Sequence, residues 1–302
     1  MDWINRPTPY SGATGIVPDF VTIDDIPAAT DSTVALGVGS SGPFSFDLDK
    51  DSPHVLVNAP TGLGKSAVAR AIAVQRLSVG DMVIVLDRKM HSHRWARDLF
   101  PVVAHYADDV SSIGAALVNI GWELSRRNQV MRDWRGDPAD APIGPRIVVI
   151  FEETNATLSR LKVLDKSAAQ QGQGALDAFS DVLFMGRAVK IHMVAFAQLA
   201  SYRSGMTADV IENFGVKVMV GYSEKAWKWL ARECGRYRPA PVGAGRGMVC
   251  HGNQASEVQL CWMPEESAAE FVLSSPAAQA QARKLSGTRR NLPTIWRRAI
   301  GR

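Results

Sequence analysis

Residues 59–66 read Ala-Pro-Thr-Gly-Leu-Gly-Lys-Ser, and this segment constrains the fold more than any other part of the chain. An apolar run at 54–58 precedes it, and the residues from Ser66 to Leu77 have helical spacing. A strand, a glycine-rich turn and a helix N-terminus together make a phosphate-binding P-loop, whose usual pattern is G-x-x-x-x-G-K-[ST]. Ala59 stands at the first glycine of that pattern. A glycine-rich turn with a chance Gly-Lys-Ser is the alternative interpretation.

The predicted loop gives its residues distinct roles. Backbone N–H groups of a P-loop point inward at the phosphates, and the helix N-terminus adds partial positive charge. Lys65 would reach the β- and γ-phosphates of a nucleotide, and the Ser66 hydroxyl would ligate Mg²⁺. ATP and Mg²⁺ are therefore the predicted cofactors. The predicted nucleotide contacts are Ala59, Pro60, Thr61, Gly62, Leu63, Gly64, Lys65, Ser66 and Ala67.

The composition predicts a soluble, cytoplasmic protein with a sizeable core. The chain has 302 residues, of which 46% are hydrophobic, and its formal net charge of +4 permits a nucleic-acid partner without requiring one. The three cysteines lack C-x-x-C spacing, so they are predicted to be buried free thiols rather than zinc ligands. No apolar run approaches the roughly 20 residues that span a bilayer, and no signal peptide opens the chain.

Short apolar runs alternate with helical segments along the chain. After the strand at 54–58, further strands are predicted at 82–86, 147–151, 191–197 and 216–220, with helices at 112–134, 176–186 and 224–234. Hairpins are predicted at 34–48 and around Met248 and Val258. This alternation is typical of an open, mainly parallel α/β sheet with helices on both faces and small β-hairpin additions.

A pair of acids follows the apolar strand Ile147–Phe151. In P-loop enzymes the first acid, usually an aspartate, belongs to the Mg²⁺ shell, and the second polarises the attacking water. Glu152 is therefore a predicted metal residue and Glu153 a predicted catalytic residue, the alternative being two surface acids. Glu152 has one methylene more than aspartate, which moves its carboxylate outward by about 1.5 Å. In the sequence, the strand at 82–86 separates the P-loop strand from this one. That arrangement, with a glutamate beside the metal acid, points to a RecA-like P-loop NTPase of the ASCE type.

Two polar residues flank the strand predicted at 191–197. Gln198, at its end, can sense the γ-phosphate, although a strand-end glutamine that caps a loop is the alternative. Arg187 precedes the strand and so lies away from its own nucleotide. Such an arginine can act in trans, as a finger that stabilises charge in a neighbour's transition state. A surface arginine is the alternative there.

The order of these motifs resembles the motor domain of FtsK/SpoIIIE DNA translocases, in the FtsK–HerA superfamily. The resemblance covers residues 34–273. Its matching segments are 34–66, Asp87-Arg-Lys89-Met90, 123–131, 146–155, 186–198 and 245–272. The two glutamates and the Met-Gly-Arg before the sensor strand look most like short FtsK-like proteins of actinobacteria and their mobile elements.

The resemblance implies a hexameric ring that pumps double-stranded DNA through a central channel at the expense of ATP. It divides the chain into an N-terminal arm at 1–33, a motor domain at 34–273 and a basic C-terminal tail at 274–302. Neither a membrane-spanning N-terminal region nor a winged-helix domain is expected. A relaxase or replication protein of a mobile element is a further expected partner.

The sequence signals for DNA contact are weaker. After Glu270 the chain has no acidic residue and seven basic ones, which are Arg283, Lys284, Arg289, Arg290, Arg297, Arg298 and Arg302. Such a segment favours attraction to DNA phosphates, and a solvated, disordered tail is the alternative. Trp227, Trp229 and Trp262 are predicted to be core or interface residues rather than base-stacking platforms. The resemblance implies pore loops around Lys89–Arg94 and Arg160–Gln173.

Two functional hypotheses remain open at this point. The first is an ATP-driven translocase of double-stranded DNA that moves a chromosome, plasmid, integrative element or phage genome. The second is an ATP-binding recruiting or structural protein with a weakened motor. The replacements at Ala59 and Glu152 favour the second.

Overall fold

A sheet of ten strands runs through the computed structural model, which describes residues 15–60, 62–89, 92–106, 109–167, 174–198 and 206–287. The central strands are short apolar runs buried along their whole length, whereas the second and last strands also carry exposed polar residues. The strands are β1 (Thr33–Gly39), β2 (Gly42–Asp47), β3 (Val55–Asn58), β4 (Met82–Leu86), β5 (Val103–Tyr106), β6 (Ile147–Phe151), β7 (Ile191–Ala197), β8 (Val216–Met219), β9 (Arg246–His251) and β10 (Gln254–Leu260).

Eight α-helices connect and cover these strands in the described part of the chain. They are α1 (Lys65–Ser78), α2 (Val110–Asp133), α3 (Thr154–Ser167), α4 (Ala175–Met185), α5 (Ala208–Glu212), α6 (Glu224–Leu230), α7 (Glu265–Ser274) and α8 (Pro276–Gly287). Short 3-10 turns lie at Ile23–Asp25, Arg94–Leu99, Pro138–Asp140, Arg187–Val189 and Arg232–Cys234. None of the helices described is both long and apolar enough to cross a membrane.

The sheet has a parallel half and an antiparallel half. Its strand order is β2-β1-β10-β9-β8-β3-β7-β6-β4-β5, and the strands from β8 to β5 run parallel to one another. The prediction of an open, mainly parallel α/β sheet is confirmed. The two predicted hairpins, β1–β2 and β9–β10, are antiparallel and extend the same sheet instead of forming a separate layer.

The helices form two layers because the crossovers reverse direction. The chain passes from β3 through α1 to β4 in one direction along the sheet, and from β5 through α2 to β6 and on to β7 in the other. Right-handed crossovers in opposite directions place their helices on opposite faces. Accordingly α1 packs with α7 and α8, while α2, α3 and α4 pack with one another.

Several predicted boundaries differ from the structure. The helix predicted over 224–234 ends at Leu230, because Ala231 leaves the helical region with φ −127° and ψ 28°. The edge strand β5 and the helices α3 and α5 were absent from the predicted element list. In the predicted tail, α8 is helical and packs on α1 through the buried Ala278 and Leu285 side of the helix. The cysteines are free and buried, as predicted.

Buried ion pairs fix the end of the sheet opposite the P-loop. Arg146 is nearly inaccessible and makes a bidentate pair with Asp49, at 2.6 and 2.8 Å. Arg76 donates from Nε to Asp81 Oδ2 at 2.7 Å. His192 donates from Nδ1 to Pro53 O, so its Nε2 is left to accept from Arg146. These arginines meet at the amino ends of the parallel strands, where buried charge requires close partners.

Buried neutral histidines make the stability of the fold depend on pH. His54 accepts from Met193 N–H at 2.9 Å, and burial lowers the pKa of His54 to about 3. The unfolded chain therefore binds a proton at His54 near pH 6.5, whereas the folded chain binds it only near pH 3. As the pH falls from 6.5 toward 3, we expect this proton to lower the free energy of unfolding by about 1.4 kcal/mol per pH unit.

The matched variant is His54→Asn, whose side-chain oxygen can accept from Met193 N–H without titrating. Urea unfolding at pH 7 and pH 5 should show that the free energy of unfolding falls less for the variant than for the wild type. The difference should correspond to one proton, or about 1.4 kcal/mol per pH unit below pH 6.5. Groups such as Asp81, whose pKa burial raises to about 6, contribute equally to both proteins and cancel in the comparison. Equal losses for the two proteins would contradict the prediction.

Candidate nucleotide-binding site

The carboxyl ends of four neighbouring parallel strands meet at one edge of the sheet. In the strand registers, Asn58 of β3 lies opposite Ala197 of β7, and Phe151 of β6 lies opposite Leu86 of β4 and Ala195 of β7. The loops that follow these strands are therefore neighbours in space. Crevices outside the carboxyl ends of such strands are where open α/β sheets bind ligands. Among the described residues, every sequence-predicted residue of the nucleotide site except Arg187 belongs to one of these loops or to the start of α1.

The backbone of the P-loop is shaped by two left-handed glycines. Gly62 has φ +86° and Gly64 has φ +87°, a region that glycine enters at little cost. Gly64 is the N-cap of α1, and its carbonyl accepts from the N–H groups of Ala67 and Val68. The N-terminus of α1 therefore faces the space outside β3, as the sequence predicts. Thr61 lies outside the described residues.

The alanine at the first glycine position does not distort the loop. Ala59 is buried and continues the strand, since its N–H donates to Ala197 O at 3.3 Å. Its φ is not positive, because the described non-glycine residues with positive φ are Glu153 and Lys190. An ordinary φ accepts a methyl group. The backbone at Ala59 therefore does not require a glycine.

Lys65 points back into the loop. Its Nζ donates to Ala59 O at 3.0 Å and lies 3.9 Å from Glu153 Oε1. Burial lowers the pKa of Lys65, while Glu153 and Glu152 raise it, and the net direction is down. A P-loop lysine held over the cradle in this way is placed to meet phosphate oxygens.

Glu152 and Ser66 converge as expected of a metal pair. Ser66 Oγ donates to Glu152 Oε1 at 3.5 Å, and Glu152 is buried. Two oxygens that ligate one Mg²⁺ at about 2.0–2.1 Å lie about 2.9 Å apart at adjacent corners of an octahedron and about 4.2 Å apart at opposite corners. The observed separation is about 0.6 Å longer than that of adjacent corners. Glu152 therefore brings its carboxylate close to Ser66, and a small movement of the two side chains would let them share an ion.

Glu153 sits at the centre of a group of positive and polar side chains. Lys89 Nζ lies 2.5 Å from its Oε1, and Gln198 Nε2 donates to the same oxygen at 2.8 Å. Burial raises the pKa of Glu153, but Lys89, Lys65 and Gln198 together lower it below its ordinary value. The residue has φ +50°, a strained conformation for a non-glycine side chain. Its carboxylate is thereby turned toward the P-loop and Gln198.

The loop after β4 contributes residues that sequence reasoning placed elsewhere. Lys89 was an expected pore-loop residue, whereas the structure pairs it with Glu153. Asp87 is buried and accepts from Lys89 N–H at 2.9 Å and from Ser92 N–H at 3.0 Å, which folds the loop back over β6. His93 then reaches Glu152, with its Nε2 3.1 Å from Oε1. The Asp-Arg-Lys run was the available signal, but it indicated position after a strand and not contact with the acids.

The other candidates for DNA contact are only partly described. Met90, His91 and residues 168–173 lie outside the described residues, as does the tail beyond Gly287. The stretch from Arg160 to Ser167 is the second half of α3. Trp227 is a core residue that stacks on Tyr222, as predicted. Trp262 is 43% exposed and lines a cavity beside the P-loop.

That cavity has a volume of about 330 Å³ and is mainly apolar. The P-loop from Gly62 to Gly64, the first turn of α1, the end of β10, and Phe20 enclose it. It lies beside the predicted phosphate-binding loop.

Arg187 lies at the opposite edge of the sheet from this site, as its place before β7 predicts. It is exposed and donates from Nε to Asp49 O at 2.6 Å and from a second nitrogen to Lys50 O at 2.7 Å. The exposed side chains of Phe184 and Met185 lie three and two residues before it in the chain. An arginine so placed cannot reach the nucleotide site of its own chain.

Comparison of the sequence with protein-family models gave no match, and comparison with curated proteins gave none. Solved structures did match. The pCW3 conjugation coupling protein TcpA, in a monomer form with ATPγS, is 18% identical with a TM-score of 0.72, over 86% of this chain and 75% of that one. EssC (ATPases 2 and 3) from Geobacillus thermodenitrificans is 13% identical, with a TM-score of 0.63, over 92% and 53%.

The cytoplasmic domain of the Type VII secretion ATPase EccC of Thermomonospora curvata is 14% identical, with a TM-score of 0.60, over 86% of this chain and 31% of that one. The chain thus spans about half of the EssC structure and a third of the EccC structure. These proteins are motor ATPases of the FtsK/HerA superfamily. At such identities the likeness concerns the fold alone, and the chain shares the RecA-like P-loop fold of these ATPases.

Proposed function

We propose that this chain is an ATP-hydrolysing motor domain that translocates double-stranded DNA as a ring of subunits. The observation that carries the proposal is the convergence of Lys65, Ser66, Glu152, Glu153 and Gln198 at the carboxyl edge of the sheet. Each of these groups has a part in phosphoryl transfer to water. The fold shared with coupling and secretion ATPases supports a motor. DNA as the cargo rests on the sequence resemblance to FtsK/SpoIIIE translocases.

The proposed chemistry assigns one task to each residue. Lys65 and the loop N–H groups hold the β- and γ-phosphates, and Ser66 with Glu152 would hold Mg²⁺. The ion, when bound, neutralises charge on the phosphate oxygens. Glu153 orients the attacking water and accepts its proton. Gln198, hydrogen-bonded to Glu153, is placed to change partners when the γ-phosphate leaves.

The first prediction separates binding from hydrolysis. Lys65→Ala should remove measurable ATP binding, because it takes away the ammonium assigned to the β- and γ-phosphates. Glu153→Gln keeps the size of the side chain and should bind ATP while slowing turnover by about 10²–10⁴-fold. Binding of a fluorescent ATP analogue and release of phosphate measure the two effects. Wild-type hydrolysis by the Glu152→Gln/Glu153→Gln double variant would contradict the assignment.

A second candidate function has a structural observation in its favour. Lys89 Nζ lies 2.5 Å from the carboxylate that would activate water, and an ammonium so close weakens that carboxylate as a base. A chain locked in this arrangement would bind ATP and recruit a partner, such as a relaxase or replication protein of a mobile element, with little turnover.

ATP hydrolysis measured with and without linear duplex DNA distinguishes the two functions. The motor proposal expects a several-fold stimulation that weakens with added salt, because phosphate contacts release counterions. Lys65→Ala serves as the control for contaminating ATPases. A low rate unchanged by DNA, together with intact ATP binding, would favour the recruiting protein.

The ring is tested through Arg187. Its position, next to the exposed Phe184 and Met185, suits a contact with the nucleotide of a neighbouring subunit. Arg187→Ala should leave ATP affinity nearly unchanged and lower turnover by about 10³-fold or more. Arg135→Ala, which removes an exposed arginine from the loop after α2, is the matched control.

Mixing two inactive variants gives a second test of the ring. Subunits with Arg187→Ala and subunits with Glu153→Gln are each inactive alone, but a mixed interface can join an intact Glu153 to an intact Arg187. Some turnover should return on mixing, and the specific activity of the wild type should rise with protein concentration. Full activity of a monomer at nanomolar concentration would contradict the ring.

A further inference from the structure

Trp95 and His93 form a buried row of hydrogen-bonded side chains that ends at Glu152. Trp95 Nε1 lies 3.1 Å from His93 Nδ1, and His93 Nε2 lies 3.1 Å from Glu152 Oε1. The exposed fractions of Trp95, His93 and Glu152 are 4%, 0% and 2%. The rings of Trp95 and His93 meet edge to face, with centroids 6.1 Å apart. The three side chains are therefore shielded from bulk solvent.

The chemistry of this row determines the tautomer of His93. An indole N–H can only donate, so His93 Nδ1 must accept from Trp95. In the neutral imidazole the proton then resides on Nε2, which donates it to the Glu152 carboxylate. The direction of hydrogen bonding runs from Trp95 through His93 to Glu152, and Ser66 donates to the same carboxylate oxygen from the other side.

The row is itself held in place by the loop after β4. Asp87 accepts from the N–H groups of Lys89 and Ser92, and Trp95 belongs to the 3-10 turn that follows. The N–H of Arg94 donates to Glu265 Oε1 of α7 at 2.9 Å. His93 is thus fixed between two anchored segments and cannot withdraw from Glu152 without disturbing both.

A glutamate at this position has one more rotatable bond than the usual aspartate. Without a partner its carboxylate would sample positions that do not face Ser66. We propose that His93, in the tautomer imposed by Trp95, is a positioning residue that fixes the Glu152 carboxylate for Mg²⁺. The inference rests on the proposed role of Glu152 in the metal shell. Groups that hydrogen-bond to metal ligands commonly change metal affinity by about 10–100-fold when they are removed.

The decisive experiment is a Mg²⁺ titration of the binding of a fluorescent ATP analogue, with the affinity in EDTA measured alongside. His93→Leu should raise the Mg²⁺ concentration at half-saturation by about 10–100-fold and leave the affinity in EDTA unchanged. His93→Gln places an amide N–H near the position of Nε2 and should recover most of the wild-type midpoint. Trp95→Phe keeps an aromatic ring but loses the indole N–H, and should shift the midpoint in the same direction by a smaller factor.

A double-variant cycle tests the link to glutamate. Glu152→Asp draws the carboxylate back from His93 by about 1.5 Å and should keep or increase ATP hydrolysis, since it restores the usual metal acid. In that background His93→Leu should change the Mg²⁺ midpoint by less than about threefold, well under its effect in the wild type. Equal effects in both backgrounds would overturn the inference.

A measurement on the metal-free protein gives an independent readout. Long-range ¹H–¹⁵N spectra should show the Nε2–H tautomer for His93 in the wild type and a change in that population in Trp95→Phe. The Nδ1–H tautomer in the wild type would overturn the inference even if His93→Leu failed to fold. If His93→Leu binds nucleotide normally with an unchanged Mg²⁺ midpoint, the inference about His93 is overturned and the proposed function is not. If Lys65→Ala binds nucleotide as well as the wild type does, the proposed function is overturned.

Discussion

The parallel pairing of β3, β7, β6 and β4 is the constraint on which the proposed site depends. Each strand is too short to carry chemistry on its own, but the registers place the residues that follow Asn58, Ala197, Phe151 and Leu86 at one edge. A slip of one residue along any of these strands would move the loop that follows it by about 3.3 Å relative to the neighbouring loops. The geometry of the loops follows from that alignment, and the chemistry follows from the loops.

Opposite charge then arranges the side chains at that edge. Two lysines and one glutamine converge on Glu153, while Glu152 is approached by the neutral donors of Ser66 and His93. The two acids are adjacent in sequence but face different partners, because Glu153 occupies the left-handed region and turns its side chain away from that of Glu152. One carboxylate is thereby suited to a metal ion and the other to water.

Much of this was accessible from the sequence because it is local. A P-loop, a strand ending in acids and a strand ending in glutamine are signalled by residues within one turn or strand, and their meeting point follows from parallel topology. The contacts that the sequence did not predict are made by side chains from a loop that turns back toward the acids. Lys89 and His93 reach the acids only because Asp87 curls the loop after β4, and no periodicity records such a turn. The burial of Arg146 with Asp49 is equally invisible, since it joins segments far apart in the chain.

We expect these loops to form one site for Mg²⁺ and ATP, and a crystal structure of the protein with Mg²⁺ and ATPγS would show whether they do. In that structure Lys65 Nζ should leave Ala59 O for the phosphates, and Ser66 and Glu152 should share the ion. A water should lie between the γ-phosphate and Glu153. A nucleotide bound elsewhere, or phosphates out of reach of Lys65 and Glu153, would contradict this expectation.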